Sequence, residues 1–380
     1  MNQLEWEKAH YRRIQGYVKK IDGIFEKGVK EAAAIGATFN TADLFSQAFS
    51  FDDYPQTKAR IDKLMKEMQS NIQSTVVSGI EAEWKNSNLQ NDMIAQRILG
   101  IKNADEIPDK FKKYFNKNND ALQAFIKRKD AGMNLRDRVW KYTQGFKEEI
   151  EAGLDKGIRA GMPAAEMARE LKQYLKEPDR LFRRVRGTDG KLRLSRPARA
   201  YHPGRGVYRS SYKNAMRLTR TETNMADRAA DHERTQQLDF VVGIEVRLTN
   251  NPGHIYDICD ELKGKYPKDF KFVGWHPHCM CHTVTILKTP EELKRDVEKI
   301  ESGQATDTRS QNEVKGLPEN FKDWAERNQD RIAAAKSQPY FIRDNFKGTK
   351  IQEWFKQQPV IPASPAPAPV EVPKPAPVIS

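Results

Sequence analysis

No apolar run in this chain of 380 residues approaches the roughly 18 needed to cross a bilayer as a helix. Mean hydropathy is −0.79, and 38% of residues are hydrophobic against 31% charged, so the sequence excludes a helical membrane protein and predicts a very polar, soluble one. The opening residues, Glu5 and Glu7 among them, lack the basic-then-apolar layout of a secretory signal. The expectation is a protein that works in the cytoplasm where it is made, or in a particle assembled there. Acid is in deficit, with 52 Asp and Glu against 65 Lys and Arg, a net charge of +13 that favours polyanionic partners. Cysteine is scarce, with three in the whole chain. No repeat of fixed period is present, and neither the HExxH nor the HxE…PCxxC signature of a catalytic zinc occurs.

The charge and the cysteines are both concentrated. Arg180 to Arg220 holds thirteen Lys and Arg against one acid, Asp189, a net +12 that is nearly the whole surplus. Its Gly187, Gly190, Pro197, Pro203, Gly204 and Gly206 predict an extended loop. Arg180, Arg183, Arg184, Arg186, Lys191, Arg193, Arg196, Arg199, Arg205 and Arg209 are its candidate contacts to nucleic acid or an acidic protein surface. A merely solvated loop is the competing reading.

Around these features the chain reads as helical. Ile14, Val18, Ile21, Phe25 and Val29 recur at three- and four-residue steps, with further helices expected near 57–84, 88–99 and 117–130. Leu135, Val139, Tyr142, Phe146, Ile150, Leu154 and Ile158 make one long stripe, which Asn134 and Asp137 can cap and Gly161 with Pro163 can end. Gly153 and Gly157 on it allow a neighbouring helix to approach. Helices follow over Ala164–Leu175 and from near Arg209 to about Leu238. Phe240–Thr249 and His282–Leu287 read as strands. Surface helices are expected over 290–300 and 319–335. The tail from Pro359 holds eight of the 20 prolines and predicts a disordered, polyproline-like strap.

Between the two predicted strands lie all three cysteines, Cys259, Cys279 and Cys281, within 23 residues, and four of the seven histidines are close by. Zinc takes four ligands from thiolate and imidazole, usually as two short clusters around a loop. The expected set is Cys259, His276, Cys279 and Cys281, with His254 and then Asp257 in reserve. The 16 residues between Cys259 and His276 suit a metal-closed loop, Pro277 stiffens its second half, and Gly264 and Gly274 help it turn. A disulfide from Cys259 to Cys279 or Cys281, and three buried thiols without a metal, are the competing readings. A catalytic zinc would need an open position and a base such as Asp260 or Glu261.

Taken together and in order, these residues resemble the phage Mu F-like minor head (head morphogenesis) proteins. That family carries Arg-Thr-Glu on a helix, then a strand, then a motif of the form DxC(D/E)…G…P…HPxCxC. Here the counterparts are Arg220-Thr221-Glu222, Asp257-Ile258-Cys259-Asp260, Gly264, Pro267 and His276-Pro277-His278-Cys279-Met280-Cys281. The resemblance runs from about Leu135 to Leu287. Many members have a further cysteine three positions before the one matching Cys259; this chain has Tyr256 there.

The resemblance implies a structural, non-enzymatic component of a tailed-phage or prophage head. Such a protein sits at the portal vertex or in the head interior of the virion, and in the host cytoplasm during assembly. Its partners would be the portal protein, other capsid components and phage DNA, in assembly, packaging or ejection, with no membrane. The fold expected is mostly α, with a small α+β domain carrying a short sheet and the Cys/His knot. The division is a helical portal- or scaffold-docking region over 1–130 and a Mu F-like domain over 131–288, with basic loop 180–220 and knot 254–282. C-terminal helices at 289–356 and a tail at 357–380 complete it. A zinc-dependent hydrolase or nuclease, or a stand-alone nucleic-acid-binding protein, is the alternative.

Glu222 has no cation three or four residues away on its own helix, so once buried it needs a tertiary partner. It is expected to brace the knot by accepting from a ligand histidine or from Arg220; a solvated helix glutamate is the other reading.

Overall fold

The computed structural model describes residues 3–39, 49–103, 107–177, 184–186, 190–194, 210–249, 255–307, 309–335 and 337–346. It is mostly helical with one small three-stranded antiparallel sheet, the fold class expected.

Five helices build the larger body: α1 (Gln3–Gly36), α2 (Pro55–Leu99), α4 (Leu135–Arg159), α5 (Ala164–Lys176) and α6 (Ser211–Gln237), with the short α3 (Asn119–Lys127) at its side. The α1 stripe buries Ile21, Phe25 and Val29 against Ile72, Val76 and Ile80 of α2 and Val139, Phe146 and Ile150 of α4. This core crosses residue 130, where the sequence suggested a division. Asn134 accepts from the Asp137 N–H at 2.9 Å and Asp137 accepts from the Asn134 N–H at 3.2 Å, the reciprocal cap expected for α4. Gly157 lies so close to α5 that an added Cβ would stand 2.5 Å from Met167.

Two helices were expected over 57–84 and 88–99; one helix of 45 residues covers both. The polar run that suggested a break is satisfied inside it. Asn88 and Asn91 donate to the Trp84 and Ser87 carbonyls one turn back. Across the interface, Asn91 also donates to Asp231 at 2.9 Å, and the wholly buried Arg234 to Asp92 at 2.8 Å. Polar side chains that would favour a turn when solvated are here bonded to α6.

The sheet runs β4 (Gly264–Tyr266), β3 (Val241–Arg247), β5 (His282–Leu287), with Ile244 opposite both Tyr266 and Thr285. Between β3 and β4 comes the five-residue helix α7 (Ile258–Leu262). After α8 (Pro290–Glu301), the segment expected as one surface helix over 319–335 is two helices, α9 (Glu319–Arg327) and α10 (Gln329–Ala334), followed by α11 (Tyr340–Asn345). Helices α9 and α10 lie at the surface, as expected, with one face of each turned inward. Phe321 and Phe341 are fully buried in one core with Ile244, Tyr266, Trp275 and the three cysteines. The composition is charged, but Phe321, Trp324 and Ala325 fall on one side of α9, and that side faces the knot.

Within the basic segment the structure describes a small antiparallel hairpin, β1 (Arg184–Arg186) against β2 (Leu192–Leu194), where a plain loop was expected. The Pro-rich tail lies outside the described residues.

Candidate metal centre

Local hydrogen bonds place each sulfur. The Asp257 carboxylate accepts from the Cys259 N–H at 2.8 Å, and Asp260 accepts from the Asp257 N–H at 3.0 Å, so a reciprocal cap starts α7 and presents Cys259. Phe270 to Cys281 then form a compact turn. Gly274 takes φ +131° and His278 the left-handed φ +66°, and the Cys279 N–H closes on the His276 carbonyl at 3.1 Å. Cys281 ends this turn one residue before β5.

All three sulfurs are buried, free and within 4.8 Å of one another. Cys259 Sγ and Cys279 Sγ are 3.8 Å apart. Sulfur–metal bonds of about 2.3 Å in a tetrahedron put the sulfurs roughly 3.8 Å from one another. The trio can therefore hold a metal ion with little rearrangement. His276 Nε2 is 3.1 Å from Cys259 Sγ and 3.1 Å from Asp257 Oδ2, so Asp257, Cys259 and His276 form a second cluster that shares Cys259 with the first. Five of the six expected candidates thus meet at one place, with His276 and Asp257 on its solvent side. His254 lies outside the described residues. Tyr256, at the position where the family often has cysteine, is 73% exposed.

The thiols do not ionise alike. Burial opposes ionisation of Cys279, but hydrogen bonds from Cys259 and Cys281 and the nearby Arg228 guanidinium outweigh it and hold the thiol well below its usual range. Bonding to Cys279 pushes the Cys259 thiol up; at Cys281 the hydrogen bond with Cys259 lowers the thiol, but bonding to Cys279, burial and the Cys279 charge together outweigh it and raise it. One negative charge is tolerated in this core beside the Arg228 guanidinium. A bound dication would let all three ionise.

Glu222 is buried, as expected for a braced carboxylate, but its partners are different ones. Oε1 accepts from Arg138 and Oε2 from Arg128, each at 2.8 Å. Neither His276 nor Arg220 bonds to it, because Glu222 faces α3 and α4 whereas the knot lies along another side of α6. Thr221 faces the knot, accepting from the His278 N–H at 3.3 Å. Arg220 acts at longer range. Burial first, then the charges of Arg220 and Arg217, push His278 down to about 4 and keep it neutral.

The residue that clamps the knot to α6 is one the sequence reading missed. Arg228, itself buried, donates to the Val273 carbonyl at 3.0 Å and the Cys279 carbonyl at 2.6 Å. An arginine between Met225 and Ala229 on an apolar face was the available signal. The two candidate bases of a catalytic zinc are engaged otherwise: Asp260 caps α7, and Glu261 accepts from Arg327 at 3.0 Å.

Of the basic candidates, Lys191 is exposed at the hairpin turn, and Arg184, Arg186 and Arg193 lie on its strands. Arg180, Arg183, Arg196, Arg199, Arg205 and Arg209 lie outside the described residues.

Compared with family models, with curated proteins and with solved structures, the chain finds no match.

Proposed function

We propose that this chain is a minor head protein of the Mu F type, a structural component of a tailed-phage head in which a Zn2+ ion staples the knot. The observation that carries the structural role is the closed setting of the three thiols. They are packed among Tyr266, Trp275, Phe321 and Phe341 and clamped by Arg228, while Asp260 is engaged in a helix cap and Glu261 in an ion pair with Arg327. Softness selects the metal: three thiolates and an imidazole suit zinc better than calcium or magnesium. His276 is the fourth ligand through Nε2, its ring oriented by the hydrogen bond of Nδ1 to the Pro277 carbonyl at 2.7 Å, while Asp257, 3.1 Å from the same Nε2, would give way to the ion. Such an ion contributes folding energy, on the order of 10 kcal/mol, where a catalytic ion would need an open position.

The head assignment rests on the ordered motif from Arg220 to Cys281, whose parts support one another in space. Thr221 touches the knot loop, and Glu222 locks the same helix to the body. In this reading the helical body docks on the portal protein or other capsid components, and the basic hairpin segment faces phage DNA or an acidic capsid surface.

The test is metal content by mass spectrometry with co-purification on heads. One zinc per chain, lost in Cys279→Ala, with the protein fractionating with heads, is the expected result. Metal-dependent cleavage of DNA abolished by Asp260→Asn in a folded protein would support the hydrolase instead.

A further inference from the structure

The first fully buried residue of α1 is Ile14; in the three turns before it Trp6 is half-buried at the cavity, alongside hydrogen bonds and ion pairs. Gln90 donates to Gln3 at 3.1 Å, and His282 meets Glu7 at 2.9 Å. Arg13 pairs with both oxygens of the fully buried Glu83 at 2.8 Å. His10 is the centre of the arrangement. Its Nδ1 is 2.7 Å from Glu83 Oε2 and its Nε2 is 2.7 Å from Asn224 Oδ1, while the Asn224 amide nitrogen points to Met280. Both ring nitrogens face acceptors, so both carry protons and the ring is an imidazolium. These turns roof a polar cavity of about 70 Å³, walled by Asp227 and Asp231 of α6 and by Met280, Cys281 and His282 beside the knot. Asp227 faces His10 Nδ1 from 4.0 Å.

We propose that the first three turns of α1 are a proton-controlled strap, closed over the knot-side cavity while His10 is doubly protonated and Asp227 carries a proton, and released as those protons leave. Burial pushes the Asp227 carboxyl up to about 6. Burial opposes the charge on His10, but Asp227 once ionised and the hydrogen bond to Glu83 outweigh it and raise its affinity for the proton, so Asp227 loses its proton first and His10 after it. Both folded-state values lie above those of the exposed groups. The docking energy they supply is therefore complete at low pH, and is lost as pH rises through about 6 for Asp227 and above 6.5 for His10.

The surrounding charges do not reverse this sign. Burial opposes the charge on Glu83, but His10 and Arg13 outweigh it and hold it ionised, and burial pushes Tyr17 up so that it stays neutral. Glu7 and Asp231 are both raised by burial and add in the same direction. His282 is pushed down to about 4 by burial and does not titrate in the window.

Hydrogen exchange on the full chain, corrected for intrinsic rates, tests the strap by comparing residues 3–13 at pH 5.5 and pH 8. Protection there should fall on the order of tenfold at the higher pH, while residues 14–36 and the knot turn 274–281 change little. Asp227→Asn should remove the part of the response centred near pH 6 and leave the part due to His10, and His10→Gln should leave protection low across the range. Wild-type protection that is unchanged with pH overturns the proposal whether or not the variants fold. So does an unaltered pH slope in a folded Asp227→Asn. A change confined to the knot turn would mark loss of metal, not strap release, and would likewise count against it.

Discussion

At the scale of the residue, buried charges here are met by partners far away in sequence. Glu222 is reached by Arg138 across 84 positions and by Arg128 across 94. Removing the carboxylate strands two guanidinium groups, so Glu222→Ala should cost about 3–5 kcal/mol in urea unfolding. An unchanged melting temperature would contradict the role described. Gly274 poses a different constraint. Its φ of +131° disfavours any side chain, and an added Cβ would stand 2.9 Å from the Arg228 guanidinium. Gly274→Ala should destabilise by roughly 1–3 kcal/mol and loosen metal binding, readable as faster zinc transfer to a chromogenic chelator.

At the scale of the element, a charged surface helix contributes one face to the core. Helix α9 reads as surface from its composition, yet Phe321 sits wholly buried among the aromatic rings packed on the cysteines. Phe321→Ala should cost about 3–5 kcal/mol and lower metal retention as well, because the cavity opens beside the thiols. Stability loss with unaltered zinc affinity would separate the two. The polar stretch Ser87–Asn91 carries the opposite lesson: residues typical of a break continue α2, because α6 supplies their partners.

At the scale of the whole molecule, the knot is where the helical body, the sheet and the C-terminal helices converge. On the proposed zinc staple, treatment with a strong chelator should therefore lower the melting temperature of the entire chain by well over 10 °C, not merely unfold the segment 255–282; about 10 kcal/mol is on the order of a whole domain's stability. Calorimetry with and without chelator reads this directly, and a local, low-enthalpy transition would sink it. The pH response of the α1 strap is a separate global readout. Its direction, weaker docking toward alkaline pH, is opposite to what salt-bridged carboxylates with lowered values would produce.

Local pattern made much of this legible. The apolar period of α1 and α4, the Asn134–Asp137 cap, the two strands flanking the cysteines, and the convergence of Cys259, Cys279 and Cys281 all follow from short-range spacing, which is where such signals reside. The rest was decided in three dimensions. Which arginines hold Glu222, why Arg228 is buried, why α9 faces inward, and why His10 meets Glu83 and Asn224 depend on contacts between residues 45 to 214 positions apart. A sequence records that a buried charge needs a partner, because desolvation is a property of the residue; only packing selects which partner it meets.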